Sequence, residues 1–329
     1  MRLTQLSLFN FRNYVRLVLD LPAGVTVLVG DNAQGKTNLL EAVYYLATSR
    51  SPHAGSDREI VNWLVTQSEP LPFARLVGRV ARGSGELSIE ITLTQQGEAE
   101  GRYRKQIRLN GVPHRAMDLL GHLNVVLFLP EDIALVSGSP GGRRHYLDAT
   151  LCQIDPAYCR ALARYNQILT QRNALLRDLR ERGGEVAQLA FWDEQLVEHG
   201  AHLVGRRREC LEDLGSLVRQ VHAELTDGAE RLRLDYLPSV DLENGATVPV
   251  AFAAQLRSLR AREIAAGVTL VGPHRDDLGF AIDGMNAGIY ASRGQQRTTA
   301  LALKLAEAEV ISDYREETPI VLLDDVLSE

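Results

Sequence analysis

The sequence predicts an α/β protein in which a strand-rich lobe is built from both ends of the chain and a helical lobe is inserted between them. Alternating and continuous apolar runs, typical of strands, fill the first part of the chain and return after Glu263. Within about residues 156–226, apolar residues instead recur every three or four positions, as they do in long helices. We therefore expect a discontinuous lobe of residues 1–125 plus 265–329 and a helical lobe of residues 126–264.

The composition is that of an ordinary globular protein, with 329 residues, 45% of them hydrophobic, and a net charge of −6. Because the net charge is negative, any contact with DNA must come from a local basic patch. The chain has no apolar run long enough to span a membrane and no recognisable leader, so we expect a cytoplasmic protein with no membrane partner. Three cysteines without C-x-x-C spacing predict buried thiols: Cys152, Cys159 and Cys210.

Short sequence patterns predict the individual strands and the turn between two of them. The dipeptide Asn110-Gly111 indicates a hairpin turn. A helix is expected directly after the predicted strand at 26–30, and another over residues 292–314. The predicted strands lie at residues 2–9, 26–30, 86–93, 105–109, 268–272, 277–282 and 319–325.

The helical pattern of residues 156–226 predicts an antiparallel helical hairpin. Gly183-Gly184 interrupts the pattern and marks the turn. At 1.5 Å per residue the first helix would reach about 40 Å, so the hairpin would be a short arm. The alternative is an ordinary helical subdomain whose apolar stripe packs on a neighbour.

A phosphate-binding loop follows the predicted strand at 26–30 and opens the next helix. Residues 30–37 satisfy the pattern G-x-x-x-x-G-K-[ST]. In such a loop backbone N–H groups surround the phosphates, the lysine ammonium reaches the β and γ oxygens, and the hydroxyl binds Mg²⁺. We therefore expect ATP and Mg²⁺ as cofactors. The predicted nucleotide-binding residues are Gly30, Asp31, Asn32, Ala33, Gln34, Gly35, Lys36, Thr37 and Asn38.

An apolar run ending in two carboxylates, residues 320–325, supplies the second half of such a site. Consecutive strand residues point to opposite faces, so Asp324 could bind the metal with Thr37 while Asp325 has another task. That task would be general base or water positioner, unless Asp325 is only a surface loop residue. The chain has no N-K-x-D guanine reader, which argues against a GTPase.

The segment SRGQQRT, residues 292–298, opens the predicted helix near the end of the chain. The start of a helix gathers unpaired N–H groups and a partial positive charge, so it is suited to bind an anion. The phosphate-binding loop lies 256 positions earlier, counted from Ser292 to Lys36 (292 − 36).

Taken together, several segments resemble an ABC-type ATPase head of the RecF family, which is related to SMC heads. Each match is weak alone, but their number and order agree with the family. The matching segments are FNFRNY at 9–14, GKTNLLEAVYYLA at 35–47, GSPGGRR at 138–144, GPHRDDL at 272–278, SRGQQR at 292–297 and LLDDVLSE at 322–329.

The resemblance implies roles for particular residues. Asp325 would take the place of the usual catalytic glutamate, which fits slow hydrolysis. Arg12 matches a basic residue that approaches the nucleotide in related heads; the alternative is a solvated arginine on a strand edge. The resemblance further implies that ATP held by Lys36 of one molecule meets the signature of a second molecule, so the dimer would depend on ATP. The signature residues are Ser292, Gly294 and Gln295.

The sequence departs from the family pattern at two places. Where related chains tend to carry an arginine near the γ-phosphate, this chain has His53, with Arg50 nearby. The pattern also stops at Glu329, so we expect the switch-loop residue of the family to lie beyond it. For the segment 272–278 we expect either a coupling loop between the nucleotide site and the helical lobe or charges that only cap and solubilise.

The resemblance implies an ATP-dependent DNA-binding protein of recombinational repair and a slow DNA-dependent ATPase. It implies binding to double-stranded DNA bordering single-stranded gaps, and action with RecR and RecO to load RecA. The alternatives are a nucleotide-gated scaffold for partner docking and an ATPase subunit of another ABC assembly. The candidate DNA-binding residues, each of which could instead lie on a solvated helix face, are Arg143, Arg144, Arg206, Arg207 and Arg208.

Overall fold

The computed structural model describes residues 1–68, 71–97, 102–242 and 245–325. The described residues form two compact units. The first unit comprises Met1–Pro130 together with the described residues from Glu307 onward, and the second comprises Glu131–Ala306. No helix within these described ranges is both long enough and apolar enough to cross a membrane.

The first unit is built on a six-stranded antiparallel sheet in the order β2-β1-β3-β4-β5-β6. Asn110 and Gly111, both at positive φ, form the turn between its last two strands, which confirms the predicted hairpin. The strands are β1 (Arg2–Phe11), β2 (Tyr14–Asp20), β3 (Phe73–Arg82), β4 (Gly85–Gln95), β5 (Tyr103–Leu109) and β6 (Val112–His114).

One face of this sheet forms the core of the first unit, because the strands alternate apolar and polar residues. Leu6, Leu76 and Ile91 are fully buried on that face. They belong to the same apolar cluster as α1 (Lys36–Thr48), which packs against the sheet. The short helices of this unit are α2 (Trp63–Ser68) and α3 (Ala116–Leu119).

A second, two-stranded sheet pairs distant parts of the first unit. β7 (Val125–Phe128) runs parallel to β11 (Ile320–Leu323), and the residues of β7 are all buried. The prediction of a buried strand at residues 26–30 is wrong: the segment is not a strand, and Val27 and Val29 are exposed. Among the described strands none pairs with it, and an apolar run alone cannot supply a pairing partner.

The second unit is mainly helical and contains the predicted pair of long helices. Asp155 caps the first of them by accepting hydrogen bonds from the N–H groups of Ala157 and Tyr158. All three cysteines are buried thiols, as predicted. The helices that begin in this unit are α4 (Ile133–Ser137), α5 (Pro140–Ile154), α6 (Pro156–Arg182), α7 (Leu189–Leu225), α8 (Val248–Ala266), α9 (Ala287–Tyr290) and α10 (Arg293–Arg315).

Helices α6 and α7 pack side by side, and α8 packs against both. A three-stranded sheet in the order β10-β9-β8 completes the unit and contacts α7. The helical pair is therefore integrated into a subdomain rather than projecting as an isolated arm. The strands are β8 (Leu232–Leu237), β9 (Asp277–Ile282) and β10 (Met285–Asn286).

The boundary between the units reflects the pairing of β9. The predicted strand at 277–282 is confirmed, but it pairs with β8 of the helical unit. The second unit consequently extends to Ala306, past the boundary expected between residues 264 and 265. The predicted strand at 268–272 is wrong: this stretch is a loop leading to Gly272, whose φ of 126° is not a strand conformation.

Candidate nucleotide-binding site and its surroundings

The G-x-x-x-x-G-K-T stretch forms a loop that leads into α1. Ala33 and Gly35 adopt left-handed backbone conformations, with φ of 62° and 100°. A Cβ atom added at Gly35 would collide with the side chain of Asn13. Glycine is therefore required there both for its backbone conformation and for the close approach of a neighbour.

The turn between β1 and β2 holds this loop in place. Asn13 donates from Nδ2 to the carbonyl of Gln34 at 3.2 Å and accepts at Oδ1 from the amide of Asn38 at 2.8 Å. The hydroxyl of Tyr14 donates to the carbonyl of Gly35 at 3.1 Å. We did not predict these supporting residues, although both belong to the FNFRNY segment.

Lys36 points its ammonium group into the curve of the loop. Nζ donates to the carbonyls of Gly30 and Asp31 at 2.7 Å and 2.8 Å. Residues 31–34 are exposed, and the first N–H groups of α1 have no acceptor within the helix. A cation and several free N–H groups at one helix start fit a polyphosphate, and the hydroxyl of Thr37 on the next residue is a suitable ligand for Mg²⁺.

Arg12 has a partner that neither sequence interpretation foresaw. Its guanidinium donates to both carboxylate oxygens of Glu41 in α1, at 2.8 Å and 2.6 Å, and to the carbonyl of Glu59 at 2.9 Å. The Glu41 side chain is buried and also accepts from the hydroxyl of Ser51. Arg12 is therefore not a solvated arginine, and its approach to a nucleotide stays a prediction.

The segment that carries Arg50 and His53 is held at its backbone and exposed at its side chains. The N–H of His53 donates to the hydroxyl of Ser51 at 2.9 Å, and the N–H of Arg50 donates to the hydroxyl of Thr48 at 3.2 Å. Both Arg50 and His53 are exposed. Either side chain is thus available to a ligand, but their place at the γ-phosphate is untested.

The two adjacent carboxylates follow β11 as predicted. The N–H of Asp324 donates to the carbonyl of Phe128 at the end of β7, which extends the parallel pairing by one residue. Asp324 is half-buried, whereas Asp325 is exposed and has a φ of 48°, so the chain turns away from the strand there. The remainder of the LLDDVLSE segment, residues 326–329, lies outside the described residues.

The predicted signature residues form the start of α10 in the second unit. The N–H of Ser292 donates to Oε1 of Gln295 at 2.8 Å, and the N–H of Gln295 donates to the hydroxyl of Ser292 at 3.3 Å. This reciprocal pair is a capping box. Ser292 and Gly294 are exposed, so the start of this helix is accessible to an anion.

Two of the five candidate DNA-binding arginines are buried and paired within the chain, which argues against the predicted phosphate contact. Arg143 donates to both carboxylate oxygens of Asp277, at 2.7 Å and 2.8 Å. Arg207 is 2% exposed and donates to the carboxylates of Asp148 and Asp276. A guanidinium that is buried and paired within the chain would have to give up its partners to contact a DNA backbone.

The other three candidates differ in how accessible they are. Arg144 is half-buried and donates to the carbonyl of Asp276 at 2.6 Å. Arg206 bonds to the carboxylates of Asp155 and Glu209. Arg208 is exposed, and for these three residues DNA contact stays a prediction.

The GPHRDDL segment lies at the centre of the buried polar network of the second unit. Asp276 is 1% exposed and accepts from Arg207, from the hydroxyl of Tyr236 and from the N–H of Ser239. Through Asp277 and Asp276 the segment is thus bonded to α5, α7 and β8. The charges of this segment hold the helical unit together rather than only solubilising it.

His274 of the same segment is buried between a hydroxyl and a carbonyl. Nε2 lies 3.2 Å from the carbonyl of Thr269, which can only accept, so Nε2 carries the proton and Nδ1 accepts from the hydroxyl of Tyr165 at 2.7 Å. Burial lowers the pKa of His274 to about 4. The imidazole is therefore neutral at neutral pH.

The sequence reasoning missed a group of arginines on the outer face of the six-stranded sheet. Cross-strand partners share a face, and Phe9 pairs with Arg75 and with Arg16. On this face the rings of Phe9 and Phe73 are stacked with centroids 5.2 Å apart. The period-two pattern of RLVGRVAR and YRKQIRL could have revealed the face. Among the described residues, the exposed arginines of this face include Arg16, Arg75, Arg79, Arg104 and Arg108.

The loop, the helix that follows it and the strand ending in two carboxylates define an ATPase head of the SMC-like ABC type. A family model described as the RecF/RecN/SMC N terminal domain matches residues 2–329. The chain belongs to this family.

Curated relatives and solved structures agree with this assignment. The DNA replication and repair protein RecF of Chloroflexus aurantiacus is 45% identical over 340 residues, covering 98% of this chain and 86% of the relative. The protein of the same name from Roseiflexus castenholzii is 45% identical over 343 residues and covers 100% of this chain and 87% of its own length. A structure of the recombination mediator protein RecF with ATP in the RecFOR pathway has a TM-score of 0.90 at 33% identity, covering 99% of this chain and 85% of that chain.

Proposed function

We propose that the chain is an ATP-dependent DNA-binding protein of recombinational repair. ATP joins two molecules head to head on DNA at gaps, and slow hydrolysis releases them. The observation that carries this proposal is the start of α10, where Ser292 and Gly294 are exposed and ready for an anion. The chain has a single phosphate-binding loop, so that anion would be the γ-phosphate on the Lys36 of a second molecule.

In the nucleotide site, Lys36 exchanges the carbonyls of Gly30 and Asp31 for phosphate oxygens when ATP binds. Thr37 and Asp324 hold Mg²⁺, which neutralises charge on the phosphates when it is bound. Asp325 positions the attacking water and accepts its proton. Because Asp is one methylene shorter than Glu, we expect slow turnover.

Arg12 contributes to nucleotide binding only indirectly as long as its guanidinium stays bonded to the carboxylate of Glu41. A phosphate oxygen would have to compete with both oxygens of Glu41 for the guanidinium. We therefore assign Arg12 to the support of α1, and a nucleotide contact would require it to exchange Glu41 for a phosphate.

DNA contact is assigned to exposed arginines rather than to the buried pair Arg143 and Arg207. The outer face of the six-stranded sheet combines exposed arginines, of which Arg75 also pairs with Glu90, with the stacked rings of Phe9 and Phe73. Arginine binds phosphate in a bidentate manner, and exposed aromatic rings stack on bases where a strand is single. Arg208 is a further candidate on the second unit.

The partners are proposed from the relatives, whose names place them in DNA replication and repair and in the RecFOR pathway. We propose RecR as the docking partner, with RecO and RecA acting in the same pathway, in the cytoplasm. A nucleotide-gated scaffold is the second candidate, favoured by the burial of Arg143 and Arg207. Stimulation of ATP turnover by DNA supports the first candidate, and failure to bind DNA with ATP present supports the second.

Two substitutions test the two-molecule mechanism. Ser292→Arg places a long cationic side chain at the exposed helix start; it should leave ATP binding near normal and abolish ATP-dependent dimers. Lys36→Met should abolish both. The measurements are ATP titration by fluorescence and light scattering after size-exclusion chromatography with ATP. Ser258→Arg, at an exposed serine of α8, is the control and should dimerise normally. Dimerisation of the Ser292→Arg variant would contradict the mechanism.

A further inference from the structure

Gln295 uses both ends of its amide in defined hydrogen bonds. Its Oε1 accepts from the N–H of Ser292 at 2.8 Å, and its Nε2 donates to Oε1 of Glu230 at 2.9 Å. A backbone N–H can only donate and a carboxylate can only accept, so the orientation of the amide is settled by its partners. Glu230 therefore holds the side chain that caps the first turn of α10.

The backbone next to Glu230 is fixed by hydrogen bonds of its neighbour. The next residue, Arg231, exchanges two hydrogen bonds with Asp283: its N–H donates to the carboxylate at 3.1 Å, and its carbonyl accepts from the N–H of Asp283 at 3.0 Å. The backbone beside Glu230 is thus tied to the residue that follows β9. This fixes the backbone position from which the Glu230 side chain reaches Gln295.

The second carboxylate oxygen of Glu230 faces the C-terminal end of α7. It lies 3.6 Å from Nε2 of His222, a residue of the last turn of α7 that is fully buried. Burial lowers the pKa of His222 against the opposing effect of Glu230 and Asp283, so the ring is neutral at neutral pH. Glu230 therefore forms no ion pair with His222, and its carboxylate accepts the hydrogen bond from the amide of Gln295.

We propose that Glu230 is a positioning residue for the signature segment, which orients Gln295 and thereby presents Ser292 and the first N–H groups of α10 to the partner molecule's γ-phosphate. The role rests on the proposed function of residues 292–295. It also places the last turn of α7 beside the support of the signature, because the second carboxylate oxygen of Glu230 lies 3.6 Å from Nε2 of His222.

Two substitutions of Glu230 and one control test this role in the purified chain. Glu230→Ala removes the acceptor, whereas Glu230→Gln keeps an acceptor oxygen in nearly the same place. Glu224→Ala is the matched control, because Glu224 lies near the same end of α7 and accepts a hydrogen bond from Gln220 on the helix surface. Each variant is compared with the parent in ATP binding, ATP-dependent dimerisation and amide hydrogen exchange.

We expect Glu230→Ala to weaken ATP-dependent dimerisation about 5- to 10-fold, the usual effect of one lost hydrogen bond. Its ATP affinity should stay within about 2-fold of the parent, since the phosphate-binding loop is untouched. Glu230→Gln should recover most of the dimerisation and Glu224→Ala should lose none. A Glu230→Ala chain that dimerises like the parent, or one in which Glu230→Gln restores nothing, would overturn the positioning role.

Hydrogen exchange separates this proposal from the proposed function. Without ATP, the amides of residues 292–298 should exchange faster in Glu230→Ala than in the parent. In Glu224→Ala they should exchange at the same rate as in the parent. Faster exchange in Glu230→Ala, together with a parent that does not dimerise with ATP, would support the positioning role and refute the two-molecule mechanism. Unchanged exchange in Glu230→Ala, together with a parent that does dimerise, would refute the positioning role alone.

Discussion

The phosphate-binding loop of the first unit and the GPHRDDL network of the second are both rich in polar residues, but they differ in how those residues are satisfied. In the loop, Lys36 bonds to two carbonyls of its own turn and residues 31–34 are exposed. In the network, Arg207 is buried and has hydrogen bonds to two carboxylates, a carbonyl and a hydroxyl.

This difference separates a binding site from a structural motif. A polar group whose partners lie within its own short loop can exchange them for a ligand at small cost. A buried charge that is removed from a complete set of partners leaves several groups unsatisfied. We therefore expect substitutions in the loop to change binding and substitutions in the network to change stability.

The largest expected effect is from Arg207→Ala. Its loss leaves the buried carboxylate of Asp276 without its cation, and we expect the free energy of unfolding of the second unit to fall by about 3–5 kcal/mol. The neighbouring Arg208 is exposed and provides the control: Arg208→Ala should change the free energy of unfolding by less than about 0.5 kcal/mol. Urea unfolding followed by circular dichroism measures both. Equal effects at the two positions would contradict the contrast between buried and exposed arginines.

The next largest effect on stability is expected at Gly272. Gly272 has a φ of 126°, and a Cβ atom there would lie 2.5 Å from the hydroxyl of Tyr165 and 2.7 Å from the ring of Phe252. Because both neighbours are buried, Gly272→Ala should destabilise the chain by about 2–4 kcal/mol.

Gly35→Ala is the matched substitution in the phosphate-binding loop. There the colliding group is the side chain of Asn13, whose end can rotate away, so we expect a loss of only about 1 kcal/mol. Its main effect should be on ATP affinity, measured by fluorescence titration. If Gly35→Ala destabilised the chain as much as Gly272→Ala, the phosphate-binding loop would be needed for the stability of the fold as well as for ATP binding.

Local patterns sufficed to predict the P-loop, its helix, the hairpin turn at Asn110-Gly111 and the strand before Asp324. Each depends on neighbours in sequence, such as a glycine at positive φ or an alternating face. The segment at 26–30 was mispredicted because a strand needs a partner strand as well as apolar residues.

Long-range pairing explains the other differences from expectation. Arg143 and Asp277 are 134 positions apart, and only the folded chain reveals that they are partners. The same holds for Arg12 with Glu41, whose spacing of 29 residues follows no local rule. A run of arginines in the sequence therefore gave no information on which of them are exposed.

A smaller effect should follow from the titration of His274. Its pKa is about 4 in the folded chain and about 6.5 in an unfolded chain, so below about pH 6.5 the unfolded state binds a proton that the folded state does not. The stability present above about pH 6.5 should therefore decline as the pH falls towards 4, by on the order of 2 kcal/mol between about pH 7 and about pH 5. Urea unfolding at both values measures it. The His274→Gln variant should show a shallower decline, and an identical slope would show that His274 does not titrate as proposed.

The smallest effect expected of a single substitution is on DNA binding by the outer sheet face. Arg79 and Arg104 are exposed there, so Arg79→Gln and Arg104→Gln should each remove one phosphate contact. Each should lower the slope of log affinity against log salt by about 0.9, while stability changes by less than about 0.5 kcal/mol. Fluorescence anisotropy with a gapped duplex and ATP at several salt concentrations measures the slope. Arg182→Gln, an exposed arginine at the end of α6, is the control. A slope that falls for Arg182→Gln but not for the sheet variants would move the DNA contact from the first unit to the second.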